Sequence, residues 1–308
     1  MVSEAVLALI MDLLVGDPPN TWHPVAWIGR YLAAWQRRMP RGGPHAQLAW
    51  GAAALGSGLA LMGLLARGLS RWLARAPSVV RLVVRAWLFK LTFSVRGLSR
   101  AAREVQCALQ RGDLPAARRA LAWHLVSRPT RDLSASFIAA AAIESVAENT
   151  SDSVVAPALY YALGGLPAAW AYRFVNTADA MWGYRDPARA YLGKIPARLD
   201  DALNVLPARG TAGLMVLAAA VVGDDAAAAW RVWRRDAGRT ASPNAGHPMA
   251  AAAGALGVTL EKVGHYRLHA EGRAPTANDI GRAVRLLYAV TGLAWALLLL
   301  VRWRGARS

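Results

Sequence analysis

The chain has 308 residues, of which 55% are hydrophobic and 18% charged, and its formal net charge is +17. So apolar a composition, with a mean hydropathy of +0.24, is above that of an ordinary soluble domain and points to a membrane protein with sizeable polar loops, the alternative being a very large soluble helical core. The basic excess is almost all arginine and flanks apolar runs (Arg67, Arg71, Arg75, Arg81 and Arg85 after one; Arg302, Arg304 and Arg307 after another). That is the placement of juxtamembrane anchors rather than of a nucleic-acid groove interleaved with aromatics, so no nucleic-acid partner is expected. The single cysteine, Cys107, excludes an internal disulfide.

In chain order, residues 3–15 form an apolar helix too short to cross a bilayer upright. It carries Glu4 and Asp12 and lacks a basic leading segment, so it is not read as a cleaved signal peptide. "GDPPNTWHPVAWIGRYL" then makes a proline-stiffened turn into a helix. Residues 48–66 are uncharged and long enough to span, with Gly51, Gly56, Ser57 and Gly58 permitting close helix contact. Residues 79–95 are apolar but contain Arg81, Arg85 and Lys90, the pattern of a snorkelling or interfacial helix. Residues 98–127 read as amphipathic helices, one capped by Asp113 with Pro115 in its first turn.

An Ala-rich helix follows over 134–147, and 153–182 reads as a helical hairpin broken at "GGLP". Residues 183–210 are polar, 211–222 are apolar but short, and 223–283 are mostly polar. Residues 286–301 read as a C-terminal span. No stretch alternates as a strand does. The expected fold is all-α, a polytopic membrane helical bundle with partly helical polar loops, over one domain of residues 1–308.

Four polar constellations interrupt this apolar chain. In "ESVAENTSDS", Glu144 and Glu148 share a helix face, either as a solvated helix end or with a cation between them; Mg²⁺ takes one or two carboxylates and keeps phosphate and water oxygens. Asn149 adds an amide, and Asp152 either extends the cluster to a third Mg²⁺ carboxylate or caps the next helix. In "RFVNTADAMWGYRDP", Asn176 and Asp179 lie at i, i+3 with Arg173 one turn earlier. In "GKIPARLDDALNVLPARGTA", Asp200 and Asn204 share a face while the adjacent Asp201 points elsewhere. Arg198 and Arg209 flank the segment as phosphate clamps or as ordinary surface ion pairs. Lys194, one of three lysines, is a compact phosphate contact beside a glycine. In "SPNAGHPMAAAAGALGV", Ser242, Asn244 and Gly246 make a turn at a helix start, either an anion site or simply a well-made N-terminus.

These motifs, with "DLLVGDPPNTWHPVAWIGR" near the start, occur in the order found in the CobD/CbiB family, and the chain resembles that family along nearly its whole length. The resemblance implies a multi-pass enzyme of the inner (cytoplasmic) membrane, an adenosylcobinamide-phosphate synthase of cobalamin biosynthesis. Such an enzyme joins a propionate carboxyl of adenosylcobyric acid to the amine of aminopropanol phosphate, with ATP and Mg²⁺. At the positions the resemblance locates, side-chain chemistry suggests Glu144, Glu148, Asn149, Asp152 and Asp179 for catalysis, with Glu144, Glu148 and Asp152 also holding Mg²⁺. Asn176, Arg198, Asp200, Asp201, Asn204, Arg209, Ser242, Asn244, Gly246, Asp17 and His23 would bind substrate or phosphate, with His23 either a base or a structural histidine. The bilayer and the enzymes of later nucleotide-loop assembly are the implied partners. One departure is Asp179-Ala180-Met181, where many relatives are expected to carry Asp-Ser-Met. The competing classes are a corrinoid-pathway transporter or scaffold and a Mg²⁺-dependent membrane prenyltransferase. The first would be expected to show more full spans, the second two Asp-rich motifs of similar form.

Overall fold

The computed structural model describes residues 2–40, 42–183 and 191–304, with side chains to 301. The expectations for Tyr184–Pro187, for Arg307 and for the side chains of Arg302 and Arg304 lie outside what it describes. The elements in order are α1 (Val2–Leu14), α2 (Pro24–Arg37), α3 (Pro44–Ala74), α4 (Ser78–Lys90), α5 (Val95–Gln110), α6 (Leu114–His124) and α7 (Ala135–Thr150). A π-helical turn (Ser151–Val155) leads into α8 (Ala156–Trp182). Then come α9 (Lys194–Val222), α10 (Ala226–Asp236), a 3₁₀ turn (Ala237–Arg239), α11 (Gly246–Leu256), strands β1 (Leu260–Lys262) and β2 (Tyr266–Leu268), and α12 (Ala277–Arg304).

The fold is all-α, with one addition that the sequence did not announce. The antiparallel pair β1–β2 is only three residues a side, too short for alternation to be read. Four segments are long and apolar enough to cross a membrane: Pro44–Ala74, Ala135–Trp182, Lys194–Val222 and Ala277–Val301. The polar stretch before 211 and the short apolar run after it are one helix, α9. Pro207 sits inside it, where the missing N–H leaves the carbonyl of Leu203 without its helical donor. The Tyr160 hydroxyl donates to that carbonyl at 2.8 Å.

The chain divides into two compact units, each drawn from separated segments. The first comprises Met1–Ser94, Ala156–Leu203 and Leu298–Ser308. Its core gathers Ile28, Leu32, Ala54, Leu55, Phe174, Val175, Ala178, Trp182 and Leu192 from α2, α3, α8 and the turn before α9. Within α8, Gly164 and Gly165 leave helical geometry, and Gly165 takes φ 66°, ψ −155°, a conformation open essentially to glycine alone. The chain reverses there. Twelve residues of straight helix would separate Tyr160 from Tyr172 by about 18 Å, yet their rings stack at 4.9 Å. The expected hairpin at "GGLP" is therefore present.

In the first unit α1 packs on α4, and the contact is ionic as well as apolar. Arg85 Nε lies 2.8 Å from Glu4 Oε1, and Lys90, fully buried, pairs with Asp17 and Asp12. Lys90 thus does not snorkel: its charge is met inside by two carboxylates instead of by water.

The second unit comprises Val95–Val155 and Asn204–Leu297. Asp113 caps α6 as its spacing predicted, accepting from Ala116 N at 2.9 Å. The Ala-rich α7 and α11 are buried almost throughout, because small side chains allow close helix approach. Gly254 of α11 lies against the Ala228 carbonyl of α10, where a Cβ would not fit. The β-hairpin is tied to α10 at its far end: Asp236 Oδ2 accepts from His269 N at 2.7 Å, and Arg235 bonds both Asp236 and Glu271. Burial resists ionisation of Asp236, but the bonds from Arg235 and His269 N outweigh it and hold its carboxyl below the ordinary range.

Candidate functional site

In the second unit, α7 starts at the Ser134 cap and carries small apolar residues until Glu144, which is only 5% exposed. The sequence left a solvated helix end open as an alternative, and burial removes it. Arg128, from the loop before α7, places Nη2 3.4 Å from Glu144 Oε2. Glu148, one turn on and half-buried, acts on Glu144 through its charge. The hairpin brings two further groups to the same place, the Lys262 ammonium and the Tyr266 phenol. Burial, then the charges of Glu144 and Glu148, push the Tyr266 phenol well above its ordinary pKa, so it remains a protonated donor. Glu144 Oε1 is buried and makes no hydrogen bond.

The Asn149 amide donates to Ser145 O at 2.9 Å and accepts from Ser153 Oγ at 3.3 Å, bracing the helix where it widens into the π turn. Asp152 lies within that turn, half-buried. Because the chain remains helical from α7 into α8, Asp152 is not an N-cap, and the capping alternative is corrected. Single π turns inside α-helices are often found at functional sites.

The second group in this unit centres on Asn244, 6% exposed. Arg209 of α9 donates to Asn244 Oδ1 at 3.3 Å, and Asn204, on the same helix, is buried. Ser242 Oγ accepts from Asn244 N at 3.3 Å and Ala245 N at 3.2 Å, so the turn satisfies two of its own N–H groups. Gly246 packs against the Ala237 carbonyl with no room for a side chain. His247 Nδ1 accepts from Trp233 Nε1 at 2.9 Å; burial, then the Arg209 charge, lower the pKa of His247.

In the first unit, Arg173 donates to Asn176 Oδ1 at 3.3 Å, and Asn176 donates to Asp200 Oδ1 at 3.3 Å. Asp200 is buried, Asp201 half-buried and Arg198 exposed. Asp179 is half-buried near the end of α8, against Gly183. Lys194 is exposed and lies over the Tyr191 ring, 5.8 Å from its centre.

The fourth group surrounds Asp17. His23 caps α2 through Nδ1, which accepts from Val25 N at 3.2 Å, and its Nε2 lies 3.6 Å from Asp17 Oδ1. Both ring nitrogens of His23 therefore face partners within the protein. Ser94 Oγ donates to Asp17 Oδ2 at 2.5 Å, and Lys90 donates to Oδ1. Burial works against the Asp17 carboxylate, but the bonds from His23, Lys90 and Ser94 prevail and hold its pKa well below the ordinary range.

Comparison with known proteins agrees with the motif order. The family model described as CobD/Cbib protein matches residues 5–287. The chain belongs to the CobD/CbiB family. Its relatives include the "Cobalamin biosynthesis protein CobD" of Dehalococcoides mccartyi, 43% identical over 294 residues, which are 95% of this chain and 94% of the relative. The protein of that name from Chromobacterium violaceum is 41% identical over 309 residues, 95% of this chain and 96% of the relative. The one from Mycobacterium tuberculosis is 39% identical over 308 residues, 97% of this chain and 95% of the relative. No solved structure matches.

The donors of this CobD/CbiB member fit one kind of Mg²⁺ site and not another. Among the described residues no three His, Cys, Asp or Glu side chains gather as a metal cage, so Asp152 does not complete one with the two glutamates. Glu144 and Glu148, with Glu144 Oε1 unbonded, fit an ion that arrives with phosphate oxygens and needs only two carboxylates. Sequence reasoning missed Arg128, Lys262 and Tyr266, which stand 16, 118 and 122 positions from Glu144. It weighed Lys194 where Lys90 was the lysine with buried partners. A charged residue inside an apolar run was the available signal for Lys90.

Proposed function

We propose that this family member acts in cobalamin biosynthesis, as an amide-bond-forming ligase of the cytoplasmic membrane. A propionate carboxylate of adenosylcobyric acid attacks the γ-phosphorus of ATP, giving an acyl phosphate and ADP. The amine of aminopropanol phosphate then attacks the acyl carbon, the acyl–oxygen bond breaks, and adenosylcobinamide phosphate and inorganic phosphate leave. Family membership and the names of the relatives support the pathway. The observation that carries the chemistry is the buried Glu144 with the half-buried Glu148 one turn on, the first of them paired with Arg128 and both beside a protonated phenol.

In this reading Glu144 and Glu148 hold Mg²⁺, which would neutralise charge on the triphosphate. Arg128 fixes the Glu144 carboxylate, and with Lys262 it offsets phosphate charge. The Tyr266 hydroxyl donates to an oxygen on which charge develops. Asn149 and Asp152 keep the π turn in place. Arg209, aligned by Asn244, binds a phosphate, and the Ser242–Gly246 turn holds Asn244. In the first unit, Asn176, Asp179, Asp200 and Asp201 bind substrate amides and hydroxyls, and the exposed Arg198 takes the phosphate of the amine substrate; in the second, Asn204 offers an amide on the same helix as Arg209. Asp17 with His23 shapes the segment entering α2.

The test uses the chain purified in nanodiscs, with adenosylcobyric acid, aminopropanol phosphate, ATP and Mg²⁺, following the corrinoid mass. Product from wild type and loss of about 10²-fold or more in rate for Glu148→Gln are expected, the scale of a lost charge-stabilising group. Equal rates would remove the glutamate pair from the chemistry. No product from a folded wild type would sink the ligase reading.

A further inference from the structure

In the second unit, α5 and the first turns of α12 lie side by side, and three contacts fix their register. Ser99 Oγ is 2.9 Å from the Tyr288 hydroxyl. Seven positions further along α5, the Gln106 amide lies over Gly281, which is seven positions back along α12; a Cβ on that glycine would meet it. Gln110 then donates to Asn278 Oδ1 at 3.1 Å. Partners fall in number on α12 as they rise on α5, so the two helices are antiparallel and advance residue for residue.

That register sets Arg103 of α5 level with Arg285 of α12, between the Ser99–Tyr288 and Gln106–Gly281 contacts. At helical spacing Arg103 is on the side of α5 that carries Ser99, and Arg285 on the side of α12 that carries Gly281 and Tyr288. Both arginines are exposed. Among the described residues neither makes an ion pair. Glu104, next to Arg103, turns to His124, its Oε2 3.2 Å from Nε2, while Asp224 and Asp279 bond Arg282. Two like charges at one level of a helix seam repel each other unless an anion lies between them. Guanidinium groups arriving from two helices form a fork that a phosphate can fill.

The place in the chain selects the phosphate. α12 is one of the segments long and apolar enough to cross a membrane. Arg285 is the last charged residue before the uncharged run Leu286–Val301. Tyr288, 37% exposed, stands one turn into that run, as tyrosines do at headgroup level. Beyond it, Gly292 and Ala296 are exposed and share the face of Arg285. A Cβ on Gly292 would meet nothing within 4 Å, so the face is low there and has room for a chain. An anion held by the two arginines therefore sits where a headgroup lies, with an apolar track leading from it.

We infer that the Arg103–Arg285 seam binds the headgroup phosphate of one anionic phospholipid, whose acyl chain runs along α12 past Gly292. The site is independent of the ligase reading, and its test measures binding alone.

Native mass spectrometry of the full chain from mild detergent tests this, with phosphatidylglycerol and phosphatidylcholine titrated in turn. Wild type should hold one phosphatidylglycerol and prefer it to phosphatidylcholine by about tenfold or more, given two arginines at the headgroup. Arg103→Gln with Arg285→Gln should lose that lipid at the concentration that saturates wild type. Arg231→Gln with Arg234→Gln removes the same charge from exposed arginines of α10 and should keep it. Gly292→Trp, into open space, should weaken binding by blocking the chain, and serves if the seam variant does not fold. Equal binding of the two lipids, equal loss from the α10 and seam variants, or undiminished binding in a folded seam variant or in Gly292→Trp would each overturn the inference. So would displacement of the lipid by inorganic phosphate or aminopropanol phosphate, which would give the arginines to a soluble phosphate.

Discussion

Lys90→Met isolates the strongest electrostatic commitment in the first unit. The Lys90 side chain is 0% exposed, Asp12 is 0% exposed and Asp17 is 31% exposed. A surface ion pair would contribute ~0–1 kcal/mol. Removing one partner of a buried pair costs about 3–5 kcal/mol, because the remaining charge is left in low dielectric. The two carboxylates share this cost unequally. Asp17 keeps Ser94 and His23 and reaches water, whereas the Asp12 carboxylate is shut off from water. Most of the loss should therefore be traceable to Asp12. Lys90→Met should destabilise by about 3 kcal/mol or more. Adding Asp12→Asn, which removes a fully buried carboxylate charge without changing shape, should recover part of the loss, whereas Asp12→Asn alone should destabilise. Unfolding in mixed micelles, followed by circular dichroism, measures all three variants. A cost below about 1 kcal/mol for Lys90→Met would place the pair among surface ion pairs and refute the reasoning.

Three further outcomes are expected. The folded-state pKa of Asp17 is depressed, so its contribution to stability is full above its ordinary value of 3.8 and is lost as pH falls below it; Asp17→Asn should flatten the acid limb of a stability–pH curve below about pH 4 and lower the plateau at pH 7. Tyr160→Phe should cost about 1–3 kcal/mol by orphaning the Leu203 carbonyl, and Pro207→Ala in that background should restore most of it by returning the helical N–H; thermal unfolding of the pair and both singles decides this. Gly165→Ala should cost about 1–3 kcal/mol, since a Cβ is strained at φ 66° even where space is open; an unchanged melting temperature would contradict the turn geometry.

Much of this molecule is legible in its sequence. The spans over 48–66 and 286–301 needed only their length without charge, and the break at "GGLP" needed only the two glycines and the proline. The Asp113 cap followed from its place before Pro115, and Glu144 with Glu148 followed from a four-residue spacing. These are local properties, set by dihedrals and by the period of a helix. The site itself was half visible. Its carboxylates lie on one helix, but the cation and the phenol that give them chemistry come from a loop and from strands too short to show a pattern. The merging of the polar stretch 193–210 with the apolar run 211–222 was also hidden, because Pro207 reads locally as a stop. It is a tyrosine 47 positions earlier that supplies the donor for the carbonyl left open.

By itself the sequence determined that this is an all-α membrane chain, where its helices turn, and which acids share a face. Only the tertiary structure decided which charges are met and by whom: Lys90 with Asp12 and Asp17, Glu144 with Arg128, and the Tyr266 phenol beside both glutamates. Helix period and chain stiffness act over a few residues and are written in their order. The cost of a buried charge is set by whatever surrounds it, and those neighbours come from distant segments that meet only when the chain is packed.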